Sequence, residues 1–160
     1  MASILMVCTA NICRSPMAEG LVKKTLFQQE RFKDWHVSSA GTWTVDGQPA
    51  SSMTRKVLQT RGLDISAHRS RSITKDILLS SDLILTMERG HKEALLAEFP
   101  AVAGKLFLLS ELIGLHRDIV DPMGGDLADF EDTAREIEKI LIKAQDRIYT
   151  LGAENMAINH

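Results

Sequence analysis

The sequence predicts an α/β fold, a single three-layer domain in which a four-stranded parallel sheet carries helices on both faces. Short, nearly continuous apolar runs, which are typical of strands covered on both faces, alternate along the chain with longer segments of helical periodicity. The first three elements are a strand, a helix and a strand, which favours a right-handed parallel crossover. A chain of 160 residues, 44% of them apolar, is long enough to bury one such core.

Each element has its own signal in the sequence. Four apolar runs predict the strands, at residues 4–7, 35–40, 82–87 and 106–109. Helical periodicity with capping residues predicts the helices, at residues 15–29, 51–61, 88–98 and 127–152. The last helix is expected to pack against the sheet rather than to form a dimerising coiled coil. We therefore expect one domain over residues 1–152 and a flexible tail over residues 153–160.

Composition and charge exclude several classes of function. The formal net charge is −2, so the charge balance does not indicate binding to nucleic acid or to an anionic membrane. The apolar run at residues 4–7 is too short for a membrane span and lacks the basic flank of a signal peptide. The only two cysteines, Cys8 and Cys13, lie in one short stretch and provide no disulfide framework. A reducing cytoplasm fits this usage, and we expect a cytoplasmic location.

The stretch from Cys8 to Pro16 connects the first strand to the first helix. A loop bent between a strand and a helix turns backbone N–H groups inward, and the helix N-terminus adds partial positive charge, so the loop should hold an anion such as phosphate. Ser15 is expected to be the helix N-cap and Pro16 the first helical residue. Arg14 can donate two hydrogen bonds to the anion, and the same field favours the thiolate of Cys8. Taken singly, such a cysteine is usually a buried apolar residue and such an arginine a surface charge; together they predict a nucleophile facing a phosphate.

The segment Cys8–Glu19, which reads CTANICRSPMAE, resembles the signature of the low-molecular-weight protein tyrosine phosphatases. The resemblance implies a cysteinyl-phosphate mechanism that uses no metal or other cofactor, and a sheet order of 2-1-3-4. It also implies that Cys8 is the nucleophile and Arg14 the phosphate clamp. The residues that would surround the phosphate are Thr9, Ala10, Asn11, Ile12, Cys13, Arg14 and Ser15.

The resemblance assigns supporting roles as well. Cys13 matches a second cysteine that pairs reversibly with the nucleophile and shields it from further oxidation; without that role it is a buried loop thiol. Trp43 matches an aromatic residue that walls the substrate cleft, although a loop aromatic can instead pack as a local core. Four side chains would form the hydrogen-bond network that holds the phosphate loop: Asn11, Ser15, Ser39 and His68.

A second chemical site is expected at the Asp121–Pro122 pair. Pro122 fixes the backbone and the glycines beyond it let the loop bend, so a carboxylate here can approach the leaving oxygen of a phosphate ester. The resemblance implies that Asp121 is the general acid. Taken alone, an aspartate in this position more commonly starts a turn or caps a helix. The nearest competitors are Asp118 and Asp126, and Asp126 is the expected N-cap of the last helix.

Two signals in the sequence disagree about the substrate. Many tyrosine-directed relatives have Asp-Pro-Tyr at the acid loop, whereas Asp121 is followed by Pro-Met-Gly-Gly, similar to the Asp-Pro-Phe-Gly-Gly of a branch that removes phosphate from arginine. That branch favours threonine where this chain has Ile12, and an apolar Ile12 suits a phenyl ring. Because Ile12 lies in the loop that grips the phosphate, we expect phosphotyrosine as the substrate, with phosphoarginine as the alternative.

Three other classes agree less well with the sequence. An arsenate reductase of this fold needs a distant resolving cysteine, and no cysteine follows Cys13. A phosphate-binding module without turnover would be expected to lack Cys8 or Asp121. A P-loop nucleotide enzyme would carry Gly-Lys-Ser/Thr after the loop. The expected partners are a phosphorylated protein substrate and a tyrosine kinase, and the expected oligomeric state is a monomer or a weak dimer.

Overall fold

The sheet lies at the centre of the fold and consists of four parallel strands. The computed structural model describes residues 1–160. The strands are β1 (Ala2–Cys8), β2 (Trp35–Gly41), β3 (Leu83–Thr86) and β4 (Leu106–Leu108). Their order across the sheet is β2-β1-β3-β4, and every neighbouring pair is parallel. The α/β class is confirmed, and so is the strand order that the resemblance implied.

Five α-helices and two short 3₁₀ helices complete the fold. The α-helices are α1 (Arg14–Gln28), α2 (Ser52–Gln59), α3 (Lys75–Ser80), α4 (Arg89–Glu98) and α5 (Leu127–Asn159). The 3₁₀ helices flank β4, at Pro100–Lys105 and Leu109–Ile113. The sequence did not predict α3, because its six residues are too few to show a helical period. None of the helices combines the length and the apolar composition that crossing a bilayer requires.

The central strand β1 shows why the domain has three layers. Its side chains alternate between the two faces of the sheet, as those of any strand must. Ile4 and Met6 join a core packed by α1, α2 and α5, whereas Leu5 and Val7 join a second core that includes residues of α3 and α4. Cys8 is the last residue of β1, so it lies at the carboxyl edge of the sheet, where α/β folds place their ligands.

Helix α5 extends farther than the sequence indicated. Gly152 is not a helix stop: it lies inside α5, and a Cβ atom at this position would come 2.6 Å from the ring of Trp35. The glycine is therefore required by close packing of the helix against an aromatic ring rather than by a left-handed turn. The helix continues to Asn159, whose side-chain amide donates to Asp82 at 3.0 Å. The flexibility expected for residues 153–160 stays a prediction.

Candidate active site

The loop over residues 9–13 connects β1 to α1 and leaves its backbone N–H groups free. The carbonyl groups point outward and accept hydrogen bonds from neighbouring segments: Thr42 N–H donates to Cys8, Trp43 N–H to Thr9, and Ser51 N–H to Ile12. The N–H groups of residues 9–13 donate to no protein atom. A run of unpaired N–H groups at the start of a helix is an anion site of the kind that binds phosphate.

The start of α1 differs from the expectation that Ser15 caps the helix. The helix begins at Arg14, and Cys13 occupies the N-cap position without a side-chain hydrogen bond to the helix. A capping side chain would occupy one of the free N–H groups, and here those groups are left for a ligand. Ser15 lies in the first turn, so its hydroxyl is available for another role.

The Ser15 hydroxyl lies beside the expected nucleophile, Cys8. The Ser15 hydroxyl oxygen is 2.9 Å from the Cys8 sulfur, and both side chains are buried. The same oxygen accepts from the side-chain amide of Asn11 at 2.8 Å. An amide N–H can only donate, so the Ser15 oxygen is the acceptor of the Asn11 bond, and the proton of the Ser15 hydroxyl remains available to the sulfur. The Ser15 hydroxyl is therefore placed to donate to the Cys8 sulfur whenever that sulfur is a thiolate.

Asn11 holds the bend of the loop. Its backbone is in the left-handed region with φ of 59°, a conformation that costs energy for a non-glycine residue unless other contacts fix it. The contacts are present on every polar atom of the side chain and on the carbonyl. The carbonyl accepts from His68 Nε2 at 2.7 Å, and the side-chain oxygen accepts from the Arg71 N–H at 3.0 Å. The side-chain nitrogen donates to Ser15 and, at 2.9 Å, to Ser39.

A further layer of polar groups orients this network. The Ser39 hydroxyl donates to the Glu19 carboxylate at 2.5 Å, and His68 Nδ1 lies 4.0 Å from the same carboxylate. The Arg71 side chain donates to the Ser39 carbonyl at 2.9 Å. The sequence predicted that Asn11, Ser39 and His68 meet, and the structure brings them together. It did not predict that Glu19 or Arg71 joins this network.

Gly41, the last residue of β2, packs directly against the loop. A Cβ atom at this position would lie 2.4 Å from the Thr9 carbonyl oxygen and 3.1 Å from the Asn11 nitrogen. Only glycine lets the end of β2 come this close to the loop.

Arg14 is anchored on one side and free on the other. The side chain is buried, and Nη1 donates to the Glu88 carboxylate at 2.5 Å and to the Ile119 carbonyl at 2.7 Å. Nη2 makes only long contacts, 3.5 Å to the Thr9 hydroxyl and 3.6 Å to the Asp121 carboxylate. The guanidinium is thus fixed in position while one edge faces the loop. Glu88, the N-cap of α4, is a site residue that the sequence did not reveal, because it is 74 residues away from Arg14 in the chain.

Asp121 lies across the site from the loop. Its Oδ2 is the oxygen near Arg14, its Oδ1 accepts from the Met123 N–H at 3.1 Å, and 44% of its side chain is exposed. The two competing aspartates have structural partners instead. Asp118 accepts from the backbone and side chain of Arg89 at the start of α4, and Asp126 caps α5, as expected. Of the three aspartates, Asp121 is the one placed beside Arg14.

The remaining expected residues occupy different environments. Cys13 is buried with its sulfur 3.5 Å from the Ser51 hydroxyl, and burial raises the pKa of its thiol, with Ser51 and Thr54 acting in the opposite direction. Ile12 is half-buried against the core. The Trp43 side chain is 85% exposed, while its backbone is bonded to the loop. Its role as a cleft wall stays a prediction.

Three features together define a phosphate-monoester hydrolase. They are a parallel α/β sheet, a cysteine at the carboxyl end of its central strand and an arginine at the start of the following helix. The comparisons with known proteins specify which kind. Residues 3–153 match the family model described as low molecular weight phosphotyrosine protein phosphatase, and the chain belongs to that family.

Solved and curated relatives cover almost the whole chain. A probable low molecular weight protein-tyrosine-phosphatase, EpsP of Ralstonia nicotianae, is 35% identical over 94% of this chain and 98% of its own. A protein-arginine-phosphatase of Geobacillus stearothermophilus is 32% identical over 92% of this chain and 96% of its own. The crystal structure of a low molecular weight protein tyrosine phosphatase from T. tengcongensis superimposes with a TM-score of 0.87 at 38% identity, over 92% of this chain and 99% of that one.

Proposed function

We propose that this chain hydrolyses phosphotyrosine in proteins through a cysteinyl-phosphate intermediate, with Cys8 as the nucleophile. The observation that carries the proposal is the set of N–H groups over residues 9–13 that donate to no protein atom, in the loop that connects Cys8 to Arg14. Such a set of donors meets the charge on the equatorial oxygens of a phosphoryl group during in-line displacement.

In the first displacement the Cys8 thiolate attacks phosphorus, a sulfur–phosphorus bond forms and the bond to the leaving oxygen breaks. Asp121, in its protonated form, gives its proton to that oxygen. Its carboxyl lies 3.6 Å from Arg14, so the acid is close to the phosphoryl group that Arg14 would hold.

In the second displacement water attacks phosphorus and the sulfur leaves. Asp121, now ionised, takes a proton from the water, and inorganic phosphate is released. The Ser15 hydroxyl, 2.9 Å from the sulfur, stabilises the thiolate as it departs. Cys13, whose raised pKa keeps it as a neutral thiol, would act only after a peroxide has oxidised Cys8 to a sulfenic acid, by condensing with that acid to a disulfide and releasing water.

Phosphoarginine is the second candidate substrate. The relative from Geobacillus stearothermophilus bears the name protein-arginine-phosphatase, and the acid loop of this chain has Pro-Met-Gly-Gly after Asp121. Ile12 supports phosphotyrosine instead, because an apolar side chain at the loop favours contact with a phenyl ring over a guanidinium.

The experiment compares phosphate release from phosphotyrosyl and phosphoarginyl peptides of one sequence, with Cys8→Ser as the blank. Faster release from tyrosine would support Ile12 as the residue that governs selectivity. Faster release from arginine would show that the Gly-Gly acid loop was the better guide. Release from neither peptide would reject the proposal. Ile12→Thr, a substitution that replaces an ethyl group with a hydroxyl, then tests the selectivity residue directly.

We also propose partners, a location and an oligomeric state for this enzyme. The expected substrate is a phosphorylated protein, and a tyrosine kinase is the expected functional counterpart. A cytoplasmic location and a monomeric or weakly dimeric state complete the proposal. The arsenate reductase alternative is not favoured, because the chain holds only Cys8 and Cys13 and both lie at the phosphate loop.

A further inference from the structure

A buried histidine of α4 is hydrogen-bonded to the phosphate loop. His91 is 6% exposed, and its Nε2 lies 2.9 Å from the hydroxyl oxygen of Thr9. Thr9 directly follows Cys8 in the chain. His91 therefore contacts the residue next to the nucleophile, although α4 lies far from the loop in sequence.

The second ring nitrogen determines the direction of this hydrogen bond. Nδ1 accepts from the Glu88 backbone N–H at 3.2 Å, so in the neutral ring the proton resides on Nε2. Burial lowers the pKa of His91; the Glu88 carboxylate acts in the opposite direction, and the Arg14 guanidinium adds to the lowering. The neutral ring is thus the form present at neutral pH. Its Nε2–H donates to the Thr9 oxygen.

The Thr9 oxygen accepts from Arg14 as well, since Nη2 lies 3.5 Å away. A hydroxyl group has one proton and two acceptor positions, and His91 and Arg14 occupy both acceptor positions. The hydroxyl proton of Thr9 therefore remains free to be donated, and no protein atom within hydrogen-bond distance accepts it. It belongs to a hydroxyl beside the free edge of Arg14, the edge that faces the phosphate site.

We propose that the Thr9 hydroxyl donates a hydrogen bond to a phosphoryl oxygen of the substrate and that His91 is the positioning residue that orients it. The inference rests on the proposed function, because it adds a donor to the same site. Thr9 then contributes twice, through its backbone N–H and through its hydroxyl, and His91 acts without contacting the substrate.

The first test removes the hydroxyl at constant shape. Thr9→Val should lower kcat/KM by roughly 10- to 100-fold, the range for a hydrogen bond to a charged group. Thr9→Ser, which keeps the hydroxyl, should recover most of the activity. The matched control is Thr25→Val on α1, where the hydroxyl bonds only to the Leu21 carbonyl, and it should retain wild-type activity. A Thr9→Val enzyme within twofold of wild type would overturn the proposal.

The second test asks whether His91 acts through Thr9. His91→Leu should lower kcat/KM in the wild-type background and have no further effect in the Thr9→Val background. His91→Gln, whose amide nitrogen can donate from a similar position, should retain part of the activity. An equal loss in both backgrounds would mean that His91 acts through Glu88 and Arg14 instead, and the positioning role would be wrong. Thermal unfolding of each variant separates these effects from loss of the fold.

The binding of inorganic phosphate tests this inference independently of the proposed function. Cys8→Ser protein carrying Thr9→Val should bind phosphate roughly tenfold more weakly than Cys8→Ser alone, measured by calorimetry. If that difference holds while the wild type releases no phosphate from either peptide, the proposed function is rejected and the inference stands. Equal affinities, or no binding by either protein, would overturn the inference whatever the turnover.

Discussion

The hydroxyl oxygen of Ser15 lies 2.9 Å from the sulfur of Cys8, and it accepts a hydrogen bond from the side-chain amide of Asn11. Since the amide can only donate, the hydroxyl keeps its own proton available for the sulfur. Through the Ser15 hydroxyl, Asn11 is connected to the nucleophile. The backbone of Asn11 is in the left-handed region and forms the bend of the loop. One hydroxyl group thus contacts both the residue that bends the loop and the nucleophile.

Ser15→Ala should lower kcat roughly 10- to 100-fold, because the thiolate loses a hydrogen bond in the free enzyme and again as the leaving group. Alkylation of Cys8 by iodoacetate at pH 7 should slow in parallel. Stopped-flow turnover and mass spectrometry of the alkylated protein measure the two effects. Ser52→Ala, at the exposed start of α2, serves as the control. Unchanged alkylation in Ser15→Ala would show that the hydroxyl does not stabilise the thiolate.

Asp121→Asn should lower kcat roughly 10²- to 10⁴-fold for aryl phosphates with poor leaving groups, because no proton reaches the departing oxygen. An activated ester such as dinitrophenyl phosphate needs no such proton and should lose far less. The comparison of the two rates is the measurement, with Asp126→Asn at the α5 cap as the control. A loss of the same size on both esters would contradict the general-acid role.

Gly41→Ala should destabilise the protein by about 1–3 kcal/mol and reduce activity, since the added Cβ would lie 2.4 Å from the Thr9 carbonyl oxygen and push the loop out of place. Denaturant unfolding and kcat/KM measure the two effects. Gly90→Ala is the matched control: nothing lies within 4 Å of a Cβ there, and alanine suits the interior of α4. If both variants unfold at the same denaturant concentration, the close approach of β2 is not a constraint.

Cys13 should resist alkylation in the native protein. Burial raises the pKa of its thiol above the ordinary value of 9.0, so at pH 7 almost none of it is the reactive thiolate. Iodoacetamide at pH 7 should therefore label Cys8 alone, and phosphate should protect Cys8 by occupying the loop. In guanidinium chloride both thiols should react. Peptide mapping identifies the labelled residues, and rapid native labelling of Cys13 would be the opposing result.

The strand, the loop and the helix that form the site could be predicted because their signal is local. The residues from Cys8 to Arg14 are consecutive, and the chemistry of a cysteine and an arginine around such a turn restricts what the loop can bind. Asp121 needed the family resemblance, since an aspartate before proline is common in turns. The structure places it 3.6 Å from Arg14, a relationship that the sequence alone does not contain.

The errors have identifiable physical causes. Ser15 was predicted as an N-cap because serine is favoured there, but a phosphate loop leaves its N–H groups free and uses the serine on the nucleophile instead. Glu88 and His91 resembled an ordinary helix start, and only the tertiary structure brings them to Arg14 and Thr9. The sequence predicts a helix that ends at Gly152, whereas α5 continues to Asn159 and Trp35 of β2 leaves no room for a side chain at residue 152.

The length of α5 also has a consequence for the order in which the protein can fold. The core on its face of the sheet has 28 buried residues, several of them from this one helix: Phe130, Ala134, Ile137, Ile140, Leu141, Ala144, Ile148 and Tyr149. Because α5 follows every other helix and strand, the ribosome completes the sheet strands before it synthesises the helix that packs on this face of the sheet. During that interval the emerging chain exposes apolar sheet surface, so we expect a chain that stops before α5 to aggregate.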